Sequence, residues 1–100
     1  MTTDLEAFRR SLAVDAPPAT FVPALAALWW AARGGWERAH VLVQDEDGPE
    51  AAWVHAHLHR VEGDRDNAAY WYARAGRPAT DAPLAEERDA IAAVLLRADG

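Results

Sequence analysis

Apolar residues recur along this chain three and four apart, in six blocks separated by glycine, proline and acidic turns. That period marks amphipathic helices, so the pattern predicts an all-α chain. Leu5, Phe8 and Leu12 share one face of a first helix, which should run to about Val14 and stop before Pro17-Pro18. Thr3-Asp4-Leu5-Glu6 fits a capping box, with Thr3 as the cap and Glu6 reaching back. Thr20 is placed to cap a second helix with Pro23 in its first turn. There Leu25, Leu28, Trp29 and Ala32 form a stripe, and Trp30 adds a second apolar face, as expected of a helix packed between others. Gly34-Gly35 ends it.

A short helix from Trp36 to Gln44 should turn Trp36, Ala39, His40 and Val43 inward. The acidic turn that follows, Asp45 to Pro49, lacks the alternating ligands and distal glutamate of a calcium loop. From Pro49 a helix runs to about Glu62, with Ala51, Val54, His55, Leu58 and Val61 on one side and Trp53, Ala56 and Arg60 on another. Gly63 breaks it, Asp64 caps the next helix (Asn67 to Ala75), and Gly76 with Pro78 ends that one. Pro83 opens the last helix, where Leu84, Ile91, Leu95 and Ala98 form the buried stripe. Glu86 and Glu87 suit its N-terminal dipole and Arg97 its C-terminal end. Residues 1–16 thus give an N-terminal helix, 20–48 and 49–78 two helical pairs, and 80–100 a C-terminal helix, all in one domain.

Placing Gly34 on Gly63, 29 residues on, superimposes Ala27 on Ala56, Trp30 on His59, Ala39 on Ala68 and Val43 on Tyr72. Small residues where helix backbones cross, with a bulky one a turn away, are what paired antiparallel helices need. The second copy, Gly63-Asp64-x-x-x-Ala68-x-x-x-Tyr72-x-x-Ala75, resembles the second-helix pattern of tetratricopeptide and Sel1-like repeats. Gly34, Trp36 and Ala39 match it more loosely, and the likeness covers about residues 23 to 78. Trp53-Val54-His55-Ala56-x-Leu58-His59-Arg60, with Asn67-Ala68-x-Tyr70-Trp71-Tyr72, also looks like a family of small uncharacterised bacterial helical-repeat proteins. The resemblance implies two stacked hairpins in a right-handed α-α superhelix, flanked by the terminal helices, and carries no activity over. The chain departs from it in an offset shorter than the roughly 34 residues of a tetratricopeptide unit. Trp53 also stands one place beyond the usual aromatic.

Composition narrows the function classes. Acidic residues outnumber basic ones, 16 to 10, for a formal charge of -6. An acidic surface without a basic stripe repels phosphate backbones and anionic membranes, which excludes nucleic acid and membrane partners. All ten basic residues are arginine, so lysine Schiff-base and P-loop chemistry are absent. There is no cysteine, and Ser11, the one serine, lies outside any nucleophile elbow. No signal peptide or spanning run is evident, which makes the cytoplasm the expected compartment.

Chemistry is left to histidines and rings. His55 and His59, four apart, share a helical face, the spacing of two metal ligands, while His57 points roughly the opposite way. His40 on the preceding helix can complete a set of three, with Glu62 or Gln44, and three neutral imidazoles plus a water suit zinc. The competing reading makes them satisfied core residues bonded to backbone, Asn67 or a tyrosine. Tyr70, Trp71 and Arg74 cannot all be buried on a short helix and can line a groove for a peptide or small anion. Alternatively, Trp71 packs against the last helix. Arg60 reads as a surface ion-pair partner of Glu62 or Asp64, and Asn67 as a cap partner or an orienter of His59.

The expected function is therefore a non-catalytic interaction or self-association module, with a protein partner or second copy and no cofactor. The alternative is a small-ligand or metal-binding protein built on His40, His55 and His59.

Overall fold

The computed structural model describes residues 4–98 as six α-helices, with no strand among them. They are α1 (Asp4–Ser11), α2 (Pro23–Ala32), α3 (Trp36–Gln44), α4 (Pro49–Val61), α5 (Arg65–Ala75) and α6 (Leu84–Ala98). The Cα radius of gyration, 12.5 Å, is that of a compact chain of this length. Among the described residues no helix is long and apolar enough to cross a membrane.

Local chemistry sets the boundaries. Gly34 and Gly63 both take positive φ, 82° and 84°, which lets the chain reverse between α2 and α3 and between α4 and α5. The Asp64 carboxylate accepts the backbone N–H of Asn67 and caps α5. Thr20 caps nothing: α2 begins at Pro23, behind an extended Val22 that makes no side-chain cap bond. A residue before proline is pushed out of the α region, so the helix starts at the proline, beyond Thr20's reach. The expected Thr3 cap lies outside the described residues. α1 also ends at Ser11, short of Val14, and unwinds into tight turns. The Arg33 guanidinium holds that unwound end, donating to the carbonyls of Leu12 and Val14 at 2.5 Å each.

α4 is the central element. It packs most extensively on α5 and also meets α2, α3 and α6, while α1 and α2 pack on α6. The main core gathers Phe8, Leu25, Leu28, Trp29, Val54, Leu58 and Ile91, all essentially inaccessible. The Trp29 indole N–H, buried with its ring, donates to Ser11 Oγ at 3.0 Å, which in turn donates to the Phe8 carbonyl. A smaller cluster of Ala56, Ala68 and Tyr72 seals α4 against α5. The superimposed small residues Ala27, Ala39, Ala56 and Ala68 are all buried, as are the bulky Val43 and Tyr72. Val61 and Leu84 are exposed instead of joining the stripes expected of them.

Four of the five tryptophans carry a guanidinium over the ring: Arg33 on Trp29, Arg38 on Trp30, Arg74 on Trp71 and Arg77 on Trp53. A chain with arginine as its only long cation lids its indoles this way.

Candidate metal centre

Within α4 the run His55-Ala56-His57-Leu58-His59 alternates imidazoles with apolar residues, and all three imidazoles are buried. Helical geometry sends His55 and His59 to one side and His57 to the other. The two sides differ in what meets them.

On the first side His40 of α3 comes within reach. Its Nε2 lies 3.0 Å from Nε2 of His55, and one nitrogen from each of His40, His55 and His59 falls within 4.8 Å of the others. Zinc–nitrogen bonds of 2.0–2.1 Å in a tetrahedron set ligand nitrogens about 3.3–3.4 Å apart, inside that range. His55 is 4% exposed, and its Nδ1 is buried with no hydrogen-bond partner. Burial first, then the neighbouring His40 and His59, lowers its pKa to about 4, so its imidazole is neutral and keeps the lone pair that a metal needs. Nδ1–H of His59 donates to Glu62 Oε1 at 2.5 Å, which leaves Nε2 as the nitrogen available to a ligand. Gln44, the other expected helper, is exposed.

Two indoles fix the ring orientations. Trp36 stacks on His40 (4.9 Å, 9° between planes) and anchors itself by donating to the Leu58 carbonyl at 2.7 Å. Trp71 of α5 stacks on His55 at 3.9 Å, which places it on the histidines and not against the last helix. Beyond it, Tyr70 meets Trp71 edge-on, and Arg74 lies over both rings while donating to the Tyr70 hydroxyl. The three thus form one joined cluster, with Tyr70 exposed at its edge.

Asn67 does not reach His59. Its backbone N–H and amide both bond Asp64, at 3.1 and 2.6 Å, and these bonds, backbone first, hold the Asp64 carboxyl below its usual range. His59, Glu62 and Asp64 also lie within ligand distance of one another, but Asp64 is engaged as a cap, so Glu62 acts as the carboxylate that orients His59.

The second side holds what sequence reasoning missed. His57, 3% exposed, donates from Nδ1 to Glu87 Oε1 of α6 at 2.7 Å. Arg60 donates to the same oxygen at 2.8 Å and to the Ala82 carbonyl at 2.6 Å; the Tyr72 hydroxyl donates to Oε2. Arg60 thus belongs to a largely buried network and is not the surface partner of Glu62 or Asp64. Burial alone would raise the Glu87 carboxyl, yet the bonds from His57, Tyr72 and Arg60 overcome it and hold the group below its ordinary value. The Tyr72 hydroxyl is pushed up by burial and then by Glu87, and Arg60 is raised by Glu87 against the pull of its own burial. A signal for Glu87 exists: it stands four before Ile91 and eight before Leu95, on the buried stripe itself.

No family model, curated protein or solved structure matches the chain.

Proposed function

We propose that this protein binds one divalent transition-metal ion, of which zinc is the best fit, through His40, His55 and His59. The observation that carries the reading is the convergence of three imidazoles: His40 Nε2 lies 3.0 Å from His55 Nε2, and one nitrogen from each of His40, His55 and His59 falls within 4.8 Å of the others. A cation among the three nitrogens makes use of their lone pairs, and His55, neutral at ordinary pH, keeps its own available. Glu62 supplies the carboxylate behind His59, and with no cysteine in the chain the donor set is imidazole alone, which suits zinc, copper or nickel. Three protein ligands leave a fourth position for water or a small ligand.

Protein purified without a histidine tag and titrated with zinc should bind one equivalent. A hundredfold excess over Kd stabilises by about 2.7 kcal/mol, a rise in Tm of roughly 10 °C for a domain this size. Sub-stoichiometric metal with no thermal shift discards the reading.

A second reading is a non-catalytic helical-repeat module of the tetratricopeptide kind that binds a protein partner or its own copy. The exposure of Val41, Tyr70 and Val61, next in sequence to the histidine-bearing segments and Trp71, supports it. Light scattering at micromolar concentration checks self-association: a strict monomer removes that part.

A further inference from the structure

Three depressions run end to end along the seam of α4 and α6. The first, about 290 Å³, has an apolar floor that includes Ala24 and Leu95, with Glu46, Asp47 and Glu50 on its rim. Glu50 joins it to the second, about 350 Å³, and Trp53 and Arg77 join the second to a third of about 360 Å³, rimmed by Glu86. Between the last two lies the Arg77 guanidinium, 3.9 Å from the Trp53 ring centre, the shortest of the arginine–ring contacts in the described residues. Arg77 makes no ion pair with the described residues, although four exposed carboxylates line the run. Among the described residues this cation has no partner but a ring, and it divides an acidic groove in two.

We infer that this groove docks a basic, arginine-bearing peptide segment of another protein, and that Arg77 fills the place an incoming guanidinium would take on Trp53. Guanidinium is favoured over ammonium because it is planar and weakly hydrated, so it stacks on an indole face while its N–H groups pair with carboxylates. Glu50 and Glu86, on either side of Trp53, are placed for flanking basic residues. The chain's charge of -6 attracts such a segment from a distance and repels an acidic one. Arg77 lies just beyond the Gly76 cap of α5, in an exposed connection, so its side chain can swing away without disturbing a helix. None of the lining residues belongs to the histidine centre.

The test titrates acetylated tetra-arginine amide into the full chain, followed by calorimetry and tryptophan fluorescence. Wild type should bind weakly. Arg77→Ala, with unchanged circular dichroism, should bind about tenfold tighter, since the internal competitor is gone. In that background Trp53→Leu, or Glu50→Gln with Glu86→Gln, should cancel the gain. Arg38→Ala, which uncovers Trp30 outside the groove, should change nothing. Three results overturn the inference: no gain in Arg77→Ala, an equal gain in Arg38→Ala, or tetra-lysine binding as tightly as tetra-arginine. Arg77→Gln provides the same reading should the alanine variant fold poorly.

Discussion

His55 and His57 stand two residues apart on one helix, both buried, and their surroundings could hardly differ more. His57 meets a carboxylate that also takes bonds from Arg60 and Tyr72, so every donor around Glu87 has its acceptor. His55 meets two other imidazoles and an indole face, and keeps a nitrogen with no partner. A buried polar group that is fully satisfied serves the fold, here by tying α6 to α4 and α5. One left unsatisfied costs stability, so the side that carries His55 is not built for stability alone. The contrast separates the stabilising face of α4 from the face proposed to bind metal.

The largest expected effect breaks the stabilising face. Glu87→Ala leaves the largely buried Arg60 without a counter-charge and strips the partners of His57 and Tyr72, which should cost about 3–5 kcal/mol. Urea unfolding should show the loss, while zinc affinity of the folded fraction stays within about twofold because no proposed ligand moves. Loss of zinc binding at full stability would invert the assignment of the two faces.

His55→Ala should do the opposite. Zinc affinity should fall by about a hundredfold or more, since one of three ligands is gone. Apo stability should fall by only about 1–2 kcal/mol, because lost packing against Trp71 is partly offset by removal of the unpaired nitrogen. Calorimetry and thermal melts on the same samples separate the two quantities. His57→Ala is the matched comparison, with metal binding kept and more stability lost.

Acid sharpens the same division. The folded Glu87 carboxyl titrates below its usual 4.5, so its contribution is complete above that value and disappears as pH falls through the folded value. The stability gap between wild type and Glu87→Gln should therefore be widest near neutrality and narrow as pH falls below the usual 4.5. Urea midpoints at three pH values check this; a gap that widens on acidification contradicts the network.

Much of this scaffold is legible in the sequence because local chemistry and global packing agree. Gly34, Gly63, Asp64 and Gly76 each mark a helix boundary by a backbone or capping requirement that tertiary contacts do not override. The convergence of His40 with His55 and His59 follows from helix period and a short connection. What is not legible depends on partners distant in sequence. Glu87 sits on an apolar stripe at an α-helix start, where the dipole explains a glutamate equally well, and its burial follows only once His57, Arg60 and Tyr72 face it. Arg60 and Trp71 mislead for the same reason: a side chain with two helical neighbours chooses by what the third helix offers. Thr20 misleads because the proline three residues later sets the helix start by sterics alone.

The smallest effect tests whether Glu62 belongs to the binding face. It is the carboxylate bonded to the histidine trio, and it is partly exposed where Glu87 is sealed. Glu62→Gln keeps an acceptor for Nδ1–H of His59 and so keeps the tautomer, but removes the charge that makes the opposite nitrogen a stronger donor. Zinc should bind about tenfold more weakly, with stability changed by less than about 0.5 kcal/mol. Glu62→Ala loses the acceptor as well and should bind zinc more weakly still, at similar stability. If calorimetry finds both variants equal to wild type, His59 needs no carboxylate behind it, and the pair is a surface contact like any other.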